Sequence, residues 1–164
     1  MTTASMSLET RDPVRIATRT PGTAAHPLSE NEAMTSTPPK TPYEMLGGDA
    51  RVRELVERFY DLMDFEPKYR ELRAVHGSTL ESAREKLYMF LSGWLGGPSL
   101  YIDRFGHPML RARHLPFAIG EVERDQWMAC MVQAMEEVDI PQELREALEQ
   151  ALWKTADWMR NKPG

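Results

Sequence analysis

The sequence predicts one all-α domain behind a polar N-terminal extension, and three observations carry that prediction. From Tyr43 onward apolar residues recur at spacings of three and four, no window alternates as a half-buried strand would, and Gly and Pro punctuation divides the periodic text into four long segments joined by short ones. A chain of 164 residues, 41% hydrophobic and 27% charged, is in the range of a single compact domain with an apolar core.

Residues 1–42 hold half of the twelve prolines and nine threonines, with Ser, Gly and Ala between them. Such a composition cannot bury enough apolar surface to order itself, so it reads as a flexible extension and leaves 43–164 as the folded domain. Arg11, Arg15 and Arg19 among Ser and Thr have the composition of an organelle transit peptide, but Glu9 and Asp12 interrupt the basic face such peptides use.

Asp49 is placed to cap the first long helix, along which Val52, Leu55, Val56, Phe59 and Met63 form one apolar face. Pro67 opens a short helical piece through about Arg73, and His76-Gly77-Ser78 breaks it. A second long helix starts near Thr79, with Leu80, Ala83, Leu87, Phe90 and Trp94 in register, and Gly96-Gly97-Pro98 stops it. Residues 99–107 read as a loop, and Pro108 to Arg113 as a helix of a turn or two, because Pro116 restricts residue 115. After Gly120 a third long helix carries Val122, Trp127, Cys130, Met131, Ala134 and Met135 on its apolar side. Asp139 and Pro141 then mark the start of the last, with Leu144, Leu148, Ala151, Leu152, Thr155 and Met159.

Counting excludes several chemistries. Cys130 is the only cysteine, which rules out an intramolecular disulfide, a Cys-x-x-Cys pair and a multi-thiolate zinc site. A net charge of −5 argues against a nucleic-acid partner, which would need a concentrated basic face. No stretch approaches the roughly 20 apolar residues of a membrane span, and the expected location is the cytoplasm.

Against the default of a purely structural bundle stand three features. His114 ends a very short helix between Pro108 and Pro116, where little backbone entropy remains to blur the direction of its imidazole. A lone histidine is nonetheless more often a surface residue or a satisfied polar group, and His107, seven residues earlier, completes no zinc set. Tyr60 and Trp127 lie on or beside apolar stripes; each alone reads as core packing, but together in one cavity they would give it two hydrogen-bond donors. The Met128, Met131 and Met135 stripe reads as adaptable core filling, and Lys86, Arg111 and Arg113 either as a solvated face or as clamps for ligand carboxylates.

From Tyr43 to about Met159 the chain resembles the truncated haemoglobins, and within them the second of three main groups. The resemblance is carried by Gly47-Gly48, Phe59-Tyr60, Gly96-Gly97-Pro98, the run His107-Pro108-Met109-Leu110-Arg111-Ala112-Arg113-His114-Leu115-Pro116-Phe117, and Glu123-Arg124-Asp125-Gln126-Trp127, in that order and spacing. It implies a two-over-two helical sandwich enclosing haem b, with the first and second long helices set against the third and fourth. It also implies that His114 is the proximal iron ligand through Nε2, that Tyr60, Trp127 and His76 stabilise a distal ligand, and that Ala83, where longer globins carry a distal histidine, leaves the ligand's path unobstructed. By the same resemblance Leu87, Phe90, Leu110 and Phe117 contact haem, and Lys86, Tyr101 and Arg113 meet its propionates. The register at His76 depends on a loop of variable length; a slip of one residue would put Val75 or Gly77 there.

The function so implied is binding of oxygen and other diatomic ligands, with nitric oxide dioxygenation or peroxide reduction as redox uses served by an unidentified reductase. Reversible oxygen delivery or storage is the alternative, and a haem-free helical interaction module a third reading. A homodimer is compatible with the resemblance, and no sequence feature selects an oligomeric state.

Overall fold

The computed structural model describes residues 38–163; the expected flexible extension lies almost wholly outside them. In chain order the helices are α1 (Pro42–Leu46), α2 (Asp49–Phe65), a 3-10 turn at Pro67–Tyr69, α3 (Arg70–Ala74), α4 (Glu81–Trp94), α5 (Leu100–Phe105), α6 (Leu110–His114), α7 (Glu121–Glu137) and α8 (Gln142–Trp158). No strand occurs among the described residues. The long helices pack as α2 on α4 and α7 on α8, with α2 laid against α7.

The core lies along the α2–α7 contact. Val52, Val56, Phe59 and Met63 of α2 meet Cys130, Met131, Ala134 and Met135 of α7, all essentially fully buried. The small side chains of Cys130 and Ala134 allow close approach, and the Cys130 thiol donates to Phe59 O at 3.2 Å. Burial pushes that thiol's pKa up to about 12. Arg58 pairs with Glu137, and Arg84 of α4 holds Glu57 at 2.7 Å and Asp61 at 2.8 Å on α2. These pairs are half-exposed and solvent-screened and contribute little, so register comes from the buried faces and the pairs decorate it.

The structure departs from the sequence expectations in five places. Asp49 is the first residue of α2 rather than its cap: Gly48 holds the cap position at φ 81°, and the Asp49 carboxylate instead accepts from the Tyr88 hydroxyl. Thr41 and Pro42, placed in the extension by composition, form the capping box and first residue of α1. The segment 99–107, read as a loop, contains α5, which at six residues is too short for a periodic signature. Helix α4 begins at Glu81, two residues later than read. Val122, assigned to the apolar side of α7, is 48% exposed, because the first turn of α7 lies beyond the α2 contact.

The Gly96-Gly97-Pro98 stop has a packing reason beyond helix termination. Tyr43 N donates to Leu95 O at 2.9 Å, which lays the Tyr43 ring on Gly97, and a Cβ at Gly97 would stand within 2.7 Å of three ring carbons. Gly77, by contrast, has nothing within 4 Å of where its Cβ would be. Chemical denaturation of the full chain is therefore expected to find Gly97→Ala less stable by about 1–3 kcal/mol, the cost of overpacking, and Gly77→Ala nearly neutral.

Candidate functional site

His114 is half-buried at the end of α6. Its Nδ1 lies 2.6 Å from Leu110 O, one helical turn back. A carbonyl only accepts, so Nδ1 carries the hydrogen and Nε2 keeps its lone pair, the tautomer a metal ligand requires. His107 has a different place: it is exposed, and its Nδ1 accepts from Met109 N at 3.1 Å, supporting Met109 at φ 44°, the left-handed residue from which α6 starts. Among the described residues no three His, Cys, Asp or Glu side chains cluster as a metal site.

A second group of residues gathers around Phe59. The Tyr60 ring stands 4.9 Å from it edge-on, the Trp127 ring 5.3 Å, and the His76 ring 6.0 Å from Tyr60. Tyr60 is 5% exposed, yet its hydroxyl has no hydrogen-bond partner among the described residues, nor has the Trp127 indole N–H. Among the described residues no fully enclosed side-chain polar atom lacks a partner, so the Tyr60 hydroxyl keeps some accessible surface. Burial raises the Tyr60 pKa, partly opposed by Arg84, so the phenol remains a donor across the physiological range.

His76 is fixed like His114, with Nδ1 donating to Leu72 O at 2.9 Å. Desolvation, together with the charge of Arg73, lowers its pKa against the opposing effect of the Leu72 bond, and keeps the ring neutral with Nε2 open. Its loop is held from both sides. Arg73 donates to Asp64 at 2.9 Å and to the carbonyls of Gly77 at 2.8 Å and Ser78 at 3.3 Å. On the other side Gln126 of α7 accepts from Leu72 N at 2.9 Å and donates to Glu71 at 2.7 Å; with Arg70 it holds the Glu71 carboxyl down to about pKa 2. His76 also borders an open cleft of about 410 Å³ between the end of α2 and α3.

The remaining predicted residues fall into two sets. Lys86, Tyr101 and Arg113 come together at one corner of α4, α5 and α6. There the Arg113 guanidinium stands 5.6 Å over the Tyr101 ring, Tyr101 lies 5.0 Å from Phe105 and 6.4 Å from Phe90, and Lys86 Nζ is 6.0 Å from the Phe105 ring. Both cations are exposed, an arrangement suited to ligand carboxylates reaching the surface. Ala83, Leu87 and Phe90 form a half-buried stripe on α4, distinct from the edge of Tyr88, Leu91 and Ser92 that is buried. Leu110 is half-buried, and Phe117 is 46% exposed.

This set of residues fits haem: an imidazole with an open Nε2, an apolar stripe left half-covered by the helices, a corner of cations, and two donors, the buried Tyr60 hydroxyl and the half-buried Trp127 N–H, without a partner among the described residues. Sequence reasoning missed three residues that place the site, Arg73, Gln126 and Asn161. Gln126 lay in a run that carried the family resemblance but was given no role; Arg73 and Asn161 act through backbone carbonyls and partners elsewhere in the chain, and no local pattern marks them.

Comparison with known proteins agrees with this geometry. The family profile described as bacterial-like globin matches residues 41–161. The chain is 41% identical over 121 residues to a group 2 truncated haemoglobin of Bacillus subtilis, covering 74% of this chain and 89% of that one. Among solved structures it is similar to the group II two-on-two haemoglobin of Agrobacterium tumefaciens, with 42% identity, TM-score 0.75, and coverage of 79% of this chain and all of that one. It is also similar to the cold-adapted truncated haemoglobin of Pseudoalteromonas haloplanktis, with 44% identity, TM-score 0.73, and coverage of 75% and 99%. By sequence and by fold the chain belongs to the bacterial-like globins as a group II truncated haemoglobin, a family defined by haem and by the small diatomic ligands it binds.

Proposed function

We propose that the chain holds haem b with His114 as proximal ligand and uses Tyr60, Trp127 and His76 to retain oxygen and related diatomic ligands for redox chemistry rather than for delivery. The observation that carries the reading is the pair of donors at buried Tyr60 and half-buried Trp127, which have no partner among the described residues and whose rings both pack on Phe59. Haem supplies an iron centre that takes up a diatomic ligand and, given electrons, passes them to it.

The chain's own residues do the rest. His114 offers Nε2 because Leu110 O holds the hydrogen on Nδ1. Tyr60 and Trp127 donate hydrogen bonds to the partial negative charge of a polarised guest, while neutral His76 offers an acceptor Nε2 to a water or a proton-bearing ligand. Ala83 leaves its side of α4 unobstructed, and Lys86, Tyr101 and Arg113 meet the propionates. Each donor to a charged guest contributes about 1.5–3 kcal/mol, and about 1.4 kcal/mol is tenfold in affinity, so two donors slow ligand release by orders of magnitude. Slow release suits turnover of the ligand, such as nitric oxide dioxygenation or peroxide reduction with a cytoplasmic reductase, better than oxygen delivery.

Absorption spectra of ferric, ferrous and carbonyl forms are expected to show haem binding in the wild type and loss of the proximal-ligand signature in His114→Ala. In stopped-flow measurements Tyr60→Phe and Trp127→Ala should each raise the oxygen dissociation rate about tenfold or more; unchanged rates in both would remove the hydrogen-bond account. Because the fold favours the neutral Tyr60 phenol, its contribution stays intact below the unfolded-state pKa of about 10 and is lost as pH climbs further. Oxygen release is accordingly expected to show no Tyr60-dependent change between pH 7 and about 10.

A further inference from the structure

The segment bearing His114 is not held by its own packing. Helix α6 has no buried residue and starts from a left-handed Met109, and the residues after it, Leu115 and Phe117, are 57% and 46% exposed. What holds it is the chain end beyond α8. The Asn161 carboxamide donates to His114 O at 3.1 Å and to Phe117 O at 2.7 Å, and accepts from Ile119 N at 3.1 Å. The backbone N–H groups of Asn161 and Lys162 both donate to Ile119 O, at 2.9 and 3.1 Å. Arg111 adds a second tie, donating to Trp158 O and to Arg160 O, the latter at 3.1 Å.

The carbonyl of His114 belongs to the last turn of α6, where the helix itself supplies no partner; the turn after it supplies one, Phe117 N at 3.0 Å, and Asn161 ties that turn to the segment beyond α8. A single uncharged side chain that donates twice and accepts once within this span is an amide of Asn length. We propose that Asn161 is the positioning residue for His114. The Leu110 bond fixes the rotation of the imidazole, and the Asn161 bonds fix the backbone from which it projects, so Nε2 has a set direction only when both are made. The inference rests on His114 being the iron ligand.

The test uses the haem-loaded full chain as wild type, Asn161→Ala, Asn161→Asp, His114→Ala and Leu148→Ala. Asp keeps an acceptor for Ile119 N–H but replaces both donors with an anion facing two carbonyls. Leu148 is a buried α8 residue whose truncation destabilises the fold without touching α6. The readouts are the iron–imidazole stretching band in resonance Raman of the ferrous protein and amide exchange at Ile119. The band is expected to shift or broaden in both Asn161 variants and to stay in place in Leu148→Ala, with haem transfer to an acceptor globin about tenfold faster for the Asn161 variants. Exchange at Ile119 should speed up in Asn161→Ala and remain slow in Asn161→Asp. Where Asn161→Ala does not accumulate folded, Asn161→Gln, with the same groups on a longer stem, is expected to show the same band shift. A band identical to wild type in the Asn161 variants overturns the positioning role alone. A wild-type spectrum that His114→Ala leaves unchanged overturns the ligand reading, and this role with it.

Discussion

The hydrogen on Nδ1 of His114 is the constraint on which the site depends. Held against Leu110 O, it leaves Nε2 with a lone pair, and without that lone pair the imidazole has nothing to offer a metal. The same device recurs at His76, whose Nδ1 bonds the carbonyl four residues back. Desolvation, with the charge of Arg73, lowers the pKa of His76 against the raising effect of that bond.

The fold separates two tasks. The α2–α7 contact supplies stability through fully buried apolar side chains, and the polar ties at its ends, such as Arg51 to Val138 O, fix position without carrying much energy. The site segments are short and held by directed hydrogen bonds: α3 by Gln126 and Arg73, α6 by its bonds to the chain end. Directed bonds suit this use because they fix a backbone without filling the space beside it.

What could be read from sequence divides along the same line. The long helices were legible because a buried face repeats every three to four residues, as in Val52, Val56, Phe59 and Met63. Helices α1 and α5 were not, because five or six residues hold too little periodicity, and Val122 misled because an apolar residue on the right face still needs a neighbour to cover it. The stripe of Ala83, Leu87, Phe90 and Trp94 was read correctly as apolar but is only half-covered by the protein. Read alone, His114 was an ordinary histidine and Tyr60 and Trp127 were core packing; only the resemblance to the truncated haemoglobins gave the three a role. The register at His76 could not be read through a variable loop, and the structure puts its ring, rather than Val75 or Gly77, beside Tyr60. Asn161 resembled any polar residue near a chain end, since the groups it bonds lie more than 40 positions away.

The thiol bonded to the Phe59 carbonyl is protected by its place in the core. Cys130 is the one sulfhydryl of the sequence, and it is fully buried. Only the thiolate climbs toward sulfenic and higher acids, and a group with pKa about 12, its hydrogen engaged by a carbonyl, is almost never a thiolate at neutral pH. The residue therefore fills space like a small hydrophobe and resists oxidation, and a chain without another cysteine has no partner with which to form a scrambled crosslink of its own.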